Sequence, residues 1–215
     1  MEKIELFLLR SHNINMKIIK QADYIDASNI LKNGGLVAFP TETVFGFGVV
    51  YDNENSYQKL VQVKRRPPEK PFTLMLGNIN DIEKYAQVDE KSKKLIKKFM
   101  PGQFTIILQA KSGMPSWAVA KDGTVGIRVP DFPLICKMIN SVGKPLLVPS
   151  ANRSGEAPIC NSEGIISTFE GEIDAVIRGE STSKTPSTVV FCKDEVKILR
   201  EGLISSEDIK KALEE

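Results

Sequence analysis

Two periods alternate along this chain. Short apolar runs of strand length, closed by glycine, proline or a hydroxyl-bearing residue, are separated by longer stretches whose apolar positions recur every three or four residues. Leu36-Val37-Ala38-Phe39, bounded by Gly35 and Pro40, is apolar at every position, which suits a strand covered on both faces better than one exposed to water. Further strands are predicted over 72–76, 104–108, 124–130, 145–148, 175–177, 187–191 and 196–200. Helices are predicted over 22–32, with Ala22, Ile25, Ile30 and Leu31 inward, and over 53–63, with Tyr57, Leu60, Val61 and Val63 inward. Others follow at 79–86, 91–99, 134–139, 164–169 and 205–213. The mixed order of elements predicts an α/β (α+β) fold. No repeat or low-complexity tract interrupts it.

Composition narrows this. A chain of 215 residues, 41% of them hydrophobic, can bury one sizeable core, so one domain is expected over 16–215. Residues 1–15 precede a natural-looking start at Met16 and read as an extension without an assigned role. The formal net charge of +2 is too small to announce a nucleic-acid-binding protein. Cys136, Cys160 and Cys192 lack metal-ligand spacing, so no metal site is expected in the protein itself; with the single His12 they indicate core thiols in a reducing cytosol. No apolar run approaches the length of a membrane span, and a cytoplasmic protein is expected. His12, outside the motif-bearing region, removes histidine-based acid–base chemistry.

The chemistry-bearing residues gather at strand ends. Thr41, Glu42 and Thr43 follow the strand 36–39, where open α/β sheets place ligands, and Gly46 and Gly48 permit close backbone approach. The same letters suit a capped turn and packing glycines. Lys64, Arg65, Arg66 and Lys70 bracket Pro67 and Pro68 on a stiff segment, either a cation cluster for phosphates or a solvated helix end. Arg128 stands among apolar neighbours in a strand and needs a partner, either a core carboxylate or the carboxylate of a ligand. Ser150, Asn152, Ser154 and Gly155 follow another buried strand, a composition that cradles phosphate or ribose oxygens. With Thr124, Ser187 and Arg200, these hydroxyls and cations suit a polyanion and a small zwitterion, in a site that works by positioning and charge stabilisation.

The ordered set Pro40-Thr41-Glu42-Thr43-Val44-Phe45-Gly46, Lys64-Arg65-Arg66-Pro67 with Lys70-Pro71, Pro101-Gly102 with Phe104-Thr105, 124–130, Ser150-Ala151-Asn152 with Ser154-Gly155, Ser187-Thr188-Val189 and Arg200-Glu201-Gly202 closely resembles the motifs of the YrdC-like threonylcarbamoyl-AMP synthase family. The resemblance implies a nucleotidyltransferase that forms L-threonylcarbamoyladenylate and pyrophosphate from L-threonine, bicarbonate or CO₂, and ATP, for the threonylcarbamoyladenosine modification of tRNA. It implies a twisted mixed sheet flanked by helices, with a large basic cleft. Carried over by residue, Thr41, Lys70, Arg128 and Ser187 hold L-threonine, and Lys64, Arg66, Thr124, Ser150, Asn152 and Arg200 hold the nucleotide. Lys64, Arg66 and Arg128 carry the catalytic role. Mg²⁺ is expected with the ATP. Separate threonylcarbamoyl transferase proteins act downstream, and weak contact with tRNA itself is left open. Phe45 and Phe132 stand where the family commonly has tyrosine and histidine, which puts any role for those polar groups in doubt. Two rivals remain, a non-catalytic module for tRNA or double-stranded RNA, and a carbamoyl transferase with another acceptor.

Overall fold

The computed structural model describes residues 15–66 and 71–215. Residues 1–14, including His12, and 67–70, including Lys70, lie outside the described residues. The elements in chain order are β1 (Lys17–Ile19), α1 (Tyr24–Lys32), β2 (Val37–Phe39), β3 (Gly46–Val50), α2 (Glu54–Lys64), β4 (Leu74–Met75), α3 (Ile82–Tyr85), α4 (Glu90–Phe99), β5 (Phe104–Gln109), β6 (Thr124–Arg128), α5 (Pro133–Val142), β7 (Leu146–Leu147), α6 (Ser162–Phe169), β8 (Ala175–Ile177), β9 (Thr188–Cys192), β10 (Val196–Arg200) and α7 (Ser206–Glu214). The strands form one mixed, twisted sheet in the order β1-β8-β2-β3-β7-β4-β6-β5-β9-β10.

The expectation of a strand buried on both faces holds for β2. Ala38 packs into the larger of two apolar clusters and Val37 and Phe39 into the other, on opposite faces of the sheet. The larger cluster is closed by α2, α4, α6 and α7, through Leu60, Leu95, Phe169 and Ile209 among others. The smaller one is closed by α1 and α5, through Ala27, Leu31, Ile135 and Met138. Strict alternation along β5, β6 and β9 sends Ile106, Leu108, Val125, Ile127 and Val190 into the larger cluster. Their neighbours Thr105, Ile107, Thr124, Gly126, Arg128, Val189 and Phe191 point to the other face, beyond the reach of α1 and α5. Half of that face is thus covered by two helices and half is left as the floor of a cavity.

Two local expectations change. In α1 the buried positions are Ala27, Ser28 and Leu31, while Ile25 is 47% exposed. A 3₁₀ turn over Gln21–Asp23 precedes the helix and shifts its phase from that of a single helix starting at Ala22. The glycine-bearing segment after Thr43 is not a turn but strand β3, hydrogen-bonded to β2 and β7. Its glycines answer to packing: a Cβ on Gly48 would lie 2.5 Å from Phe39 Cε1, and one on Gly46 would lie 2.6 Å from Val148 Cγ1. Strand β1, parallel to β8, had no distinct signature in its short Lys-Ile-Ile sequence.

Candidate active site

Above the bare half-sheet lies a cavity of about 540 Å³, within the range of sites for cofactors and small ligands. Its walls bring together Arg66, Thr124, Arg128, Ser150, Ser187 and Arg200 from the expected set, and add Thr43, Thr73, Thr105 and Asp122. These come from separate parts of the chain, and the backbone explains the convergence. The loop after β2 and the loop after β7 are laced together, with Ala151 N–H donating to Phe45 O at 2.7 Å and Phe47 N–H donating to Pro149 O at 3.0 Å. Phe45 itself is fully buried in the core. Phe132 occupies the position just before α5 and packs against the smaller cluster.

Thr41 is not on the wall. Its hydroxyl, 1% exposed, donates to Val44 O at 2.8 Å and accepts from Thr43 N–H at 3.1 Å, and the two threonine hydroxyls meet at 2.9 Å. With the Thr41 proton spent on a carbonyl, its work is to shape the turn. Thr43, two residues on, borders the cavity although it too is fully buried and its hydroxyl meets that of Thr41. The turn reading and the binding reading of this segment are therefore both present, on different residues.

Arg128 has the partner that a buried strand arginine requires. Its Nη2 lies 2.7 Å from Glu42 Oε1, with both side chains about nine-tenths buried, and its Nε donates to Gly102 O at 3.2 Å. Glu42 Oε1 also accepts from Asp131 N–H at 3.0 Å. Among the described residues, neither Arg128 Nη2 nor Glu42 Oε2 makes a hydrogen bond of good geometry. Both atoms are buried, so the pair keeps unspent hydrogen-bonding capacity directly behind the cavity that Arg128 lines.

Ser187 is held from two sides. Its hydroxyl meets Thr105 Oγ1 at 2.8 Å and accepts from Arg200 Nη2 at 3.3 Å, while Arg200 Nε donates to Ser187 O at 3.0 Å. Burial, and then the nearby Arg128 guanidinium, lower the pKa of Arg200. Lining residues Arg200 and Leu199 are consecutive, although alternation would send one of them away. The register of β10 against β9 slips between Ile198 and Arg200, and this bulge turns both towards the cavity.

Lys64 and Asn152 stand behind the wall rather than on it. Lys64, 2% exposed at the end of α2, donates through Nζ to Ser150 O at 2.6 Å and to Asn152 Oδ1 at 3.0 Å. Ser150 Oγ donates to the same Asn152 Oδ1 at 2.6 Å, so the lysine braces the loop that carries Ser150. Burial, and secondarily the cationic Arg66, lower the Lys64 pKa to about 8. Arg66 lies with its guanidinium 4.8 Å from the Phe72 ring centroid and donates to Pro71 O at 3.2 Å. Burial lowers its pKa also. Like charges that discourage one another, held around a cavity, mark a place where an anion is stabilised.

Asp122 is the carboxylate of the wall, its pKa lowered chiefly by the Thr124 hydroxyl, which donates to Oδ1 at 2.7 Å. Among the described residues no group of three His, Cys, Asp or Glu side chains could hold a metal ion. No described helix is long and apolar enough to cross a membrane. Glu42, Thr43 and Thr105 stood in the sequence motifs without an assigned binding role, and Thr73 and Asp122 were not singled out; the period-2 face of β5, on which Thr105 and Ile107 fall, is the signal that could have placed Thr105.

Comparison with known proteins agrees with this geometry. The Sua5/YciO/YrdC family model, described as telomere recombination, matches residues 29–202. A protein of Bacillus subtilis (strain 168) named threonylcarbamoyl-AMP synthase is 36% identical over 188 residues, covering 86% of this chain and 54% of its own length. One of the same name from Vibrio parahaemolyticus is 32% identical over 177 residues, covering 81% of this chain and 96% of its own. Among solved structures, P. abyssi Sua5 complexed with L-threonine superposes with a TM-score of 0.85 at 28% identity, covering 92% of this chain and 60% of that one. E. coli YciO superposes with a TM-score of 0.83 at 25% identity, covering 90% and 98%. This chain therefore spans about half the length of the Bacillus relative and three fifths of P. abyssi Sua5.

Proposed function

This chain belongs to the Sua5/YciO/YrdC family, and we propose that it is a nucleotidyltransferase that joins L-threonine, bicarbonate and ATP into threonylcarbamoyl-AMP, pyrophosphate and water. The observation that carries the reading is the convergence of Arg66, Arg128 and Arg200, with Ser150 and Ser187, on one cavity, with Lys64 directly behind Ser150. Support also comes from the names of the relatives and from the L-threonine bound to P. abyssi Sua5.

In this reading the threonine carboxylate meets the Arg128 guanidinium, with the Ser187 hydroxyl beside it and Thr43 at the mouth of the turn that Thr41 shapes. The amine takes up bicarbonate or CO₂ as a carbamate. A carbamate oxygen attacks the α-phosphorus of ATP and pyrophosphate leaves. Arg66 and Arg200 offset charge on the phosphate oxygens, Ser150 and Thr124 hydrogen-bond the nucleotide, and Lys64 with Asn152 fixes the loop behind the phosphates while supplying a positive field. Positioning and electrostatics carry this chemistry; no side chain on the wall needs to act as a nucleophile. Lys70, adjoining the described part of the cation-rich segment, is a further candidate for the threonine or phosphate end.

Magnesium fits this donor set as a passenger of the nucleotide. Mg²⁺ holds phosphate oxygens and waters with one or two carboxylates, and Asp122 is the wall residue of that type. Bound so, it would supply charge neutralisation on the triphosphate. The product would pass to separate threonylcarbamoyl transferase proteins in the cytoplasm for tRNA modification.

The test is pyrophosphate release from ATP and bicarbonate, with and without L-threonine, using L-serine and L-alanine as controls. Strict threonine dependence supports the synthase. Release that follows another acceptor equally well would favour a carbamoyl-type transfer, and salt-sensitive RNA binding without any release would favour the RNA module.

A further inference from the structure

Helix α2 ends beside the cavity, and each of the four carbonyls in its last turn, which no helical bond can satisfy, has a donor. Val61 O and Gln62 O accept from the chain just beyond them, from Arg66 N–H at 3.2 Å and Arg65 N–H at 3.0 Å. Val63 O and Lys64 O accept from the loop after β7, from Arg153 Nη1 at 2.7 Å and Ser154 N–H at 2.8 Å. Arg65, which makes the reversal, has φ 49° and ψ 44°, and it is the only non-glycine with positive φ among the described residues. That left-handed conformation is unfavourable for a residue with a Cβ and persists where its surroundings impose it. It sets the direction of the next residue: Arg66 reaches the cavity wall, while Arg65 is exposed and off the wall.

Arg153, itself not on the cavity wall, is held in a way that lets it impose this turn. The residue is 9% exposed. Its guanidinium lies 4.7 Å from the Phe169 ring centroid and meets Glu172 with two nitrogens, Nη1 to Oε2 at 2.8 Å and Nη2 to Oε1 at 2.5 Å. Phe169 is fully buried at the end of α6, and Glu172 follows in the turn beyond it, where its N–H donates back to Phe169 O at 3.0 Å. A core ring and a carboxylate thus fix the plane of the fork, and the same Nη1 is left aimed at Val63 O. Lys64 Nζ already binds Ser150 O and Asn152 Oδ1 in this loop. Loop and helix end therefore hold each other in both directions, side chain to backbone.

Resting on the reading of this cavity as a phosphate-binding site, we infer that Arg153, oriented by Glu172, is a positioning residue: by capping Val63 O it holds Arg65 in its left-handed conformation and so aims Arg66 at the phosphates. The role needs the planar fork, because one Nη must serve Val63 O and Glu172 together while the other completes the pair with Glu172. The residues assigned to threonine, Arg128 and Ser187, stand on β6 and at the start of β9, outside this brace. Loss of the brace therefore acts on the phosphate end of the site and spares the threonine end.

The experiment is calorimetric titration of the wild-type protein, Arg153→Met and the double variant Arg153→Met/Arg65→Gly with inorganic tripolyphosphate and, separately, with L-threonine, alongside urea unfolding. Methionine keeps an apolar stem over Phe169 and leaves Glu172, whose side chain is 41% exposed, to water, so the variant should fold. Arg153→Met should bind tripolyphosphate about tenfold more weakly, the scale of releasing one strained residue, with L-threonine affinity unchanged. Arg65→Gly removes the strain of the left-handed position and should restore most of the lost tripolyphosphate affinity in the double variant. Unchanged tripolyphosphate affinity in Arg153→Met, with or without a lower urea midpoint, equal loss of both ligands, or no recovery in the double variant would each overturn the positioning role. Failure of the phosphate-site reading looks different: the wild-type protein itself would not bind tripolyphosphate, and this inference would fall with it. Failure of the synthase reading alone would leave the Arg153 effect on tripolyphosphate in place while pyrophosphate release showed no dependence on threonine.

Discussion

Arg128→Ala should damage the fold as well as the site, and the size of the damage follows from its partner. The substitution strands Glu42, whose side chain is 10% exposed, with one remaining hydrogen bond to its Oε1, from Asp131 N–H at 3.0 Å. It also removes the Nε donor from Gly102 O. Breaking a buried pair from one side costs about 3–5 kcal/mol, and here the lower end applies because the emptied arginine volume opens Glu42 to cavity water. A domain of this kind has about 5–15 kcal/mol in total, so the variant folds with a much reduced margin. Glu42→Gln keeps the shape and the acceptor for Asp131 and leaves Arg128 beside the cavity, where water reaches it; it should cost about 1 kcal/mol. The double variant Arg128→Ala/Glu42→Gln should then be more stable than Arg128→Ala alone, with a coupling of about 2 kcal/mol. Urea unfolding of the four proteins at pH 7 measures this, read as midpoint shifts at constant slope. A loss under about 1 kcal/mol in Arg128→Ala, or strict additivity in the double variant, would refute the pairing argument. The double variant is also the proper test of function, because its failure to bind threonine is not confounded by an unpaired buried carboxylate.

The Lys64 ammonium has a pKa lowered to about 8 by burial and by Arg66, so the free protein holds the cation below pH 8 and loses it above. Binding a triphosphate favours the cation, and kcat/KM for ATP should therefore fall as pH rises through about 8, while Lys64→Arg should keep its efficiency to higher pH. The same shift makes charging Lys64 unfavourable to folding: the penalty is fully present below pH 8 and is relieved as pH rises towards the ordinary lysine value, so this group's contribution to stability should increase over that window in urea midpoints. Gly48→Ala should cost about 1–3 kcal/mol, because the new Cβ would lie 2.5 Å from Phe39 Cε1 inside the core; a midpoint equal to wild type would show that Phe39 moves aside freely. Asp122→Asn should weaken ATP less in the absence of Mg²⁺ than in its presence, read by titration in each condition; equal loss in both would remove Asp122 from the metal's neighbourhood.

Much of the fold was legible because its strands are short and closed by punctuation. The strands 175–177 and 196–200 coincide with β8 and β10, and Phe39 and Ala38 on opposite faces follow from an unbroken apolar run. Strand β3 was hidden by Gly46 and Gly48, which read as a turn in sequence but are dictated by the rings and methyls of Phe39 and Val148 across the sheet. Of the motif residues, Arg66, Thr124, Arg128, Ser150, Ser187 and Arg200 line one cavity and Thr41, Lys64 and Asn152 do not, because adjacency in a motif does not say which side chain reaches the wall. Thr41 turns inward to its own loop while Thr43, equally buried, borders the cavity; Lys64 sits behind Ser150 rather than beside it. Arg128 needed a partner, and sequence left open whether that was a core carboxylate or a ligand; Glu42 supplies the former without using up the arginine. The joint presence of Leu199 and Arg200 on the wall depends on a one-residue bulge, which no pattern of residue types announces.

The central claim, that one cavity welds threonine, a one-carbon unit and AMP together, is tested most directly by incubating the protein with L-threonine, ATP and isotopically labelled bicarbonate and analysing the nucleotide products by mass spectrometry. The account predicts a single AMP-containing product that carries both the threonine and the bicarbonate label, formed in step with pyrophosphate. AMP and pyrophosphate released without such an adduct at the earliest times, or an adduct that lacks the bicarbonate carbon, would contradict it.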